Sequence, residues 1–311
     1  MPRLPAAGGR RGRRGPRRTR VHRGAGRARR PGPLGRAGRG GGAVVIDLGN
    51  PVVVAAGCGG TGRELAALGG LEGIGAFTTR SLTLNARSGG PAPRIAETAS
   101  GLVHSTGLPG PGLEMFLATE LPWLVQQPPR VVVSITGASV AEHAEVARRL
   151  ARAPGVRGIE VNLAVPDARA HGLLDVREPF HAANVVAAVV REAQDLPVLA
   201  KVRADVLRVA ESARVVTDAG AAGVVVGGPQ AAALPDGRPA GLSGPAVRPL
   251  ALRCVTEVRA ALPGVPVVGG GGITTAEDAR AFLDAGAVAV QVGTALLHDP
   301  TAAARLAAAL A

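Results

Sequence analysis

The chain of 311 residues has no tyrosine, one tryptophan, two cysteines and a single lysine. Its two cysteines, Cys58 and Cys254, are not spaced as a metal site and form no framework. That excludes a disulfide-stapled miniprotein and fits a reducing compartment, so a cytoplasmic location is expected. No stretch reaches the roughly 18 consecutive apolar residues of a membrane-spanning helix, so no membrane partner is expected. Acidic residues are missing from positions 1–43, which carry fourteen arginines among Gly, Pro and Ala. This segment also lacks the apolar core of a secretory signal. Residues 44–311 then hold 22 basic and 23 acidic residues, so the formal net charge of +13 belongs to the tail. Binding of a polyanion is therefore not the business of the folded part, and nucleic acid is a partner only through residues 1–43. Three readings of this tail stand open: an over-extended gene start in a GC-rich genome, a disordered solvated arm, and a polyanion-binding arm.

What is present is a chain 46% apolar, enough for a sizeable core and too much for wholesale disorder. From Val44 to Ala311, read as one domain, short β-branched runs alternate with Ala- and Arg-rich helical stretches. The expected strands are Val52–Ala56, Ala76–Thr79, Val131–Ile135, Gly158–Asn162, Val198–Lys201, Gly223–Gly227, Val265–Gly269 and Val288–Val292. Eight short, near-continuous apolar strands, most followed by a helix, predict an α/β fold, a (β/α)8 TIM barrel. Ser139 with Glu142 three residues on has the pattern of a capping box, and Thr275 precedes acids suited to a first helical turn. Residues 80–130, between the second and third strands, exceed a simple crossover and are expected to build a lid over the barrel mouth.

Barrel chemistry sits at the C-terminal ends of the strands, with phosphate sites in the last two βα loops. Those loops read "GGGGITTAEDA" from Gly269 and "VGTALL" from Val292, and "GLSGPAV" from Gly241 adds a third glycine-rich stretch on the same rim. Gly271 and Gly272 permit close backbone approach, and the helix after strand seven is expected to offer free N–H groups to an anion; glycines also serve simply as turn residues. Lys201, the lone lysine among 36 basic residues, falls at the end of the fifth strand. An ammonium there can stabilise an anionic ring or, desolvated, act as a nucleophile, and arginine does neither well.

These residues resemble the dihydroorotate dehydrogenases, and most closely the soluble kind that works with a separate electron-transfer subunit. The likeness is carried in order by "NPVVVAAG" from Asn50, "TTRSLTLNARSGGPAPRIAET" from Thr78, "GLPGPGLEMFLATELPWL" from Gly107, "GIEVNLAVPD" from Gly158, "PVLAKV" from Pro197, "GLSGPAVRPLALR" from Gly241, "VPVVGGGGITTAEDA" from Val265 and "AVQVGTALL" from Ala289. The resemblance implies an FMN cofactor across the barrel mouth. Matched by motif, its contacts are Ala56, Gly57, Arg80, Ser81, Ser134, Asn162, Lys201, Gly227, Gly244, Gly271, Gly272, Gly293 and Thr294, with Lys201 stabilising the charge that reduction places on the ring. It also implies oxidation of dihydroorotate to orotate in pyrimidine biosynthesis, a homodimer and the electron-transfer partner.

On the substrate side the sequence departs from that pattern. Where the soluble relatives carry Asn, any residue, Ser, Cys, Pro, Asn, this chain has Asn162, Leu163, Ala164, Val165, Pro166 and Asp167, so valine stands at the position of the proton-abstracting Cys. His104 replaces a substrate-binding Asn, Gly228 and Pro229 replace an Asn-Thr pair, and Arg80 replaces a lysine. The expected substrate contacts are Arg80, His104, Asn162 and Asp167. The catalytic residues are Lys201 and His104, a substitute base favoured over His171. Asp167 would repel a carboxylate and favours a neutral or cationic ligand, and Cys58 is read as small apolar packing. Two other readings remain: a non-catalytic flavin- or phosphate-binding homologue, and a barrel lyase forming a Schiff base on Lys201.

Overall fold

The structure, a computed structural model, describes residues 46–166, 168–176 and 178–311. The tail at 1–43 and Asp167 lie outside the described residues. In chain order the strands are β1 (Val52–Val54), β2 (Ala76–Thr78), β3 (Ile95–Thr98), β4 (Gly101–His104), β5 (Arg130–Ile135), β6 (Val156–Asn162), β7 (Val198–Arg203), β8 (Gly223–Gly227), β9 (Gln230–Ala233), β10 (Pro239–Ser243), β11 (Val267–Gly270) and β12 (Ala289–Val292). Eight of them close a parallel barrel in the order β1, β12, β11, β8, β7, β6, β5, β2. Each expected strand is found. The seventh is corrected from Val265–Gly269 to Val267–Gly270, because Val265 and Pro266 belong to the turn leaving the preceding helix.

The apolar runs become strands because both faces are covered. Outward residues such as Val133, Ile159, Val161 and Val224 join the core shared with Val185, Val186 and Val189 of the helix Pro179–Glu192, each worth about 1.5–3 kcal/mol of burial. Inward residues form a separate cluster, Val53, Ala76, Val132, Leu199, Val225, Val268 and Ala289, with Ile46 and Leu48 packed against it. Two residues further along each strand the side chain returns to the interior, and here the layer turns polar. Thr78, Ser134, Glu160, Lys201 and Gln291 occupy it, all buried.

The cap at Ser139 is present, its side chain accepting from the Glu142 N–H at 3.2 Å. The box does not close, because Glu142 accepts instead from the Ala138 N–H at 2.9 Å. The closed capping box is at Thr275, with Asp278.

The 80–130 insertion contributes the hairpin β3–β4, and a second hairpin, β9–β10, leaves the barrel after β8. Together they form an antiparallel sheet ordered β3, β4, β10, β9. The second hairpin was not read from the sequence. Its QAAA and PAGLS segments lack the β-branched residues that mark a strand.

Candidate active site

A cavity of about 300 Å³ opens at the C-terminal end of the barrel, between the strand ends and the four-stranded sheet. It is lined by Ala56, Gly57, Arg80, Ser81, His104, Asn162, Lys201, Gly244, Gly271, Gly272, Gly293 and Thr294. The spacing of the motifs along the chain therefore converges on one space. Two expected contacts do not line it. Ser134 is fully buried one step below, its Oγ 2.9 Å from the Ser81 Oγ. Gly227 ends β8 against the Gly270 carbonyl, and its neighbour Gly228 reaches the cavity instead.

The floor carries two hydrogen-bonded chains. In one, the Asn162 side-chain amide donates to the Ser81 hydroxyl at 2.8 Å, while the Asn162 Oδ1 accepts from the Ala164 N–H at 3.1 Å. In the other, the Lys201 Nζ donates to the Gln291 Oε1 at 2.8 Å and lies 3.6 Å from the Glu160 Oε1. Parallel register sets Asn162 beside Lys201 on neighbouring strands. Glu160 and Gln291 were not singled out from the sequence. The signal was a carboxylate and an amide at inward positions of otherwise apolar strands.

The rim toward β11 and β12 is built of glycine. A Cβ on Gly272, which has φ +68°, would lie 2.7 Å from the Gly244 carbonyl oxygen, and one on Gly271, at φ +132°, would lie 2.8 Å from the Ala251 Cβ. Only a residue without a side chain fits either turn. The backbone N–H groups of Gly271, Gly272, Gly293 and Thr294 donate to no described residue. The expected anion site at the following helix is corrected: the Thr274 and Thr275 N–H groups both donate to the Asp278 carboxylate at 3.0 Å, and that carboxylate pairs with Arg248. The helix end has supplied its own anion.

The opposite wall holds the residues expected to meet substrate. His104 ends β4, paired across the sheet with Ile95 and Gly241, and burial pulls its imidazole below the usual histidine range. Arg80 reaches the cavity with its Nη2 2.9 Å from the Glu120 Oε1. His171 also lines the space, and its carbonyl accepts from the Arg87 Nη2 at 2.5 Å. Arg87 thereby ties the His171 loop to residues 107–110, where it also bonds Gly110 through the backbone. Val165 packs with Leu108, Ala168 and Leu173 in an apolar cluster. A Cβ on Gly241 would sit 2.5 Å from that of Pro229, and one on Gly228 would sit 2.8 Å from that of Ala164. Cys58 lines the floor as well as packing against the core, and burial pushes its thiol up against the opposing pull of Lys201. A thiol held protonated is not a nucleophile. Among the described residues no group of His, Cys, Asp and Glu could hold a metal ion, and no helix is long and apolar enough to cross a membrane.

Comparison with known proteins agrees with this geometry. The chain is 39% identical over 264 residues to the catalytic subunit of dihydroorotate dehydrogenase B (NAD(+)) of Anoxybacillus flavithermus, covering 82% of this chain and 84% of that protein. It is 41% identical over 273 residues to the same subunit from Pelobacter propionicus, covering 84% and 88%. A crystal structure of DHODH from Eimeria tenella in complex with ferulenol shares the fold, with a TM-score of 0.72 at 20% identity over 83% of this chain and 79% of that one. With the family model described as dihydroorotate dehydrogenase matching residues 43–311, the chain belongs to the dihydroorotate dehydrogenase family and is an oxidoreductase.

Proposed function

We propose that residues 44–311 form a single FMN-binding catalytic domain, which oxidises a CH–CH donor differing from dihydroorotate at the edge facing Val165. The observation that carries this reading is one cavity with a buried ammonium at its floor and four undonated backbone N–H groups at its glycine rim. Those N–H groups, at Gly271, Gly272, Gly293 and Thr294, would hold the FMN phosphate; Lys201, Asn162 and Ser81 would meet the polar edge of its ring. FMN, when bound, accepts the hydride that leaves the donor carbon.

This chain's own residues supply the rest. The Lys201 Nζ is held in place by its bond to Gln291 and faces the Glu160 carboxylate, which supports electrostatic stabilisation over Schiff-base chemistry. His104, whose pull toward the neutral form suits a base, takes the proton from the donor, and His171 stands in reserve on the same wall. Arg80 and Asn162 orient the donor, and the hairpins β3–β4 and β9–β10 limit the access of water. The apolar cluster around Val165 and the proline wall favour a donor with an apolar edge where the relatives present a thiol and amides. Delivery of electrons to a separate subunit is supported by the naming of the relatives as catalytic subunits, whereas pairing into a homodimer is carried by the family resemblance alone.

The test is the anaerobic visible spectrum of the protein reconstituted with FMN, before and after dihydroorotate is added. A flavin spectrum that dihydroorotate leaves unbleached is expected, and rapid stoichiometric bleaching would overturn the changed substrate. Failure to take up FMN would overturn the reading as a whole.

A further inference from the structure

The deepest feature of the site is a carboxylate. Glu160 is fully buried inside the barrel, with Lys201 and Gln291 almost equally enclosed. The Gln291 side-chain amide donates to the Glu160 Oε2 at 2.6 Å, and its oxygen accepts from the Lys201 Nζ at 2.8 Å. Only this orientation of the amide satisfies both neighbours, since an ammonium offers no acceptor and a carboxylate no donor. The other oxygen, Oε1, has no hydrogen-bond partner among the described residues and faces the Lys201 Nζ at 3.6 Å. Glu160 lies one inward step below Asn162 on β6, whereas Gln291 comes from β12, three places round the barrel from Lys201 on β7. The network therefore spans the barrel interior and converges on one ammonium.

Apolar side chains would fill this layer at lower cost than a half-satisfied carboxylate, as they do one layer below. A buried carboxylate beside an ammonium opposes loss of the ammonium's proton, and a bridging amide fixes its direction. We infer that Glu160, acting through Gln291, is a positioning residue that keeps Lys201 charged and aimed at the cavity. This rests on the proposed role of Lys201 toward a flavin, but it is testable without one.

Because the chain has one lysine, reductive methylation of the full-length, flavin-free protein reads Lys201 alone once the N-terminal peptide is separated by mass. At pH 7.5, Glu160→Gln should be methylated at Lys201 about tenfold faster than the parent, and Glu160→Asp should return toward the parent rate. Val161→Ala, which loosens the outward face of the same strand, should lower Tm without accelerating methylation. A Glu160→Gln rate within about twofold of the parent, or an equal acceleration in Val161→Ala, would overturn the inference. Should Glu160→Gln fail to fold, Gln291→Met removes the bridge and leaves both charges. Faster methylation there supports the role, and the parent rate refutes it. A protein that takes up no FMN would sink the cofactor reading and leave these rates to decide this one.

Discussion

Lys201 lies at the floor and His104 on a wall of one cavity, and the tasks proposed for them are opposite. Lys201 is enclosed among groups that favour its charge. His104 is enclosed among groups that offer no compensating anion, and burial lowers its proton affinity. A base must be neutral to act, so with His104 in its proposed role the turnover of this protein should rise with pH along a limb lying below the usual histidine range. Above that limb the rate stays flat, because the imidazole has already lost its proton. His104→Gln should remove the limb and reduce the rate of flavin reduction by about 10²–10⁴-fold, measured by anaerobic stopped flow across pH. An unchanged limb would assign the proton transfer elsewhere, with His171 the next residue to replace. Lys201 was legible from its rarity alone. Glu160 was not, because a glutamate in a strand reads as an outward charge until the inward register of β6 is known, and that register is set by pairing with β5 and β7.

The positions proposed to set the donor belong to two neighbouring loops. Val165 sits in the loop after β6, and Gly228 and Pro229 sit in the loop after β8, and the two loops meet where Gly228 faces the Ala164 Cβ. With the donor set by both loops, as proposed, a change at one does not restore the other, so Val165→Cys should give no efficient oxidation of dihydroorotate. A gain of about 10²-fold or more in bleaching rate would show instead that a single side chain decides the substrate. The glycine rim depends in the same way on the helix Ala276–Asp284. Burial alone would raise the Asp278 carboxyl, but hydrogen bonds from Thr274 and Thr275 and the Arg248 guanidinium bring it below the usual aspartate range. A depressed carboxyl stabilises the fold above its unfolded pKa and loses that contribution as pH falls through the folded value. The parent should therefore lose more Tm than Asp278→Asn between about pH 5 and pH 2, and parallel loss in both would show that this cap is not coupled to acid stability. The barrel strands were legible because burial on both faces writes them as valine runs. The β9–β10 hairpin was not, since its sheet is fixed by pairing with β4 rather than by strand-forming residues.

At the scale of the molecule, charge and chemistry are separated along the sequence. The near-neutral residues 44–311 carry the cavity, and the arginines of residues 1–43 carry the net charge. Fold class was open to reading because eight βα units repeat one physical requirement, a strand covered on both sides. The tail repeats none, and its composition is compatible with a role or with none. Electrostatics separates these. If the arginines meet a polyanion, each phosphate contact releases a counterion, and binding of the full chain to RNA or duplex DNA should fall by about 10³-fold between 50 and 200 mM salt for roughly six contacts. Deleting residues 1–43 should abolish that binding while leaving FMN uptake and the flavin spectrum unchanged, because the described residues that line the proposed flavin cavity begin at Ala55. Fluorescence anisotropy with a labelled oligonucleotide measures the first and absorbance titration the second. Binding that survives the deletion would place a basic surface on the barrel itself, against its balance of 22 basic and 23 acidic residues.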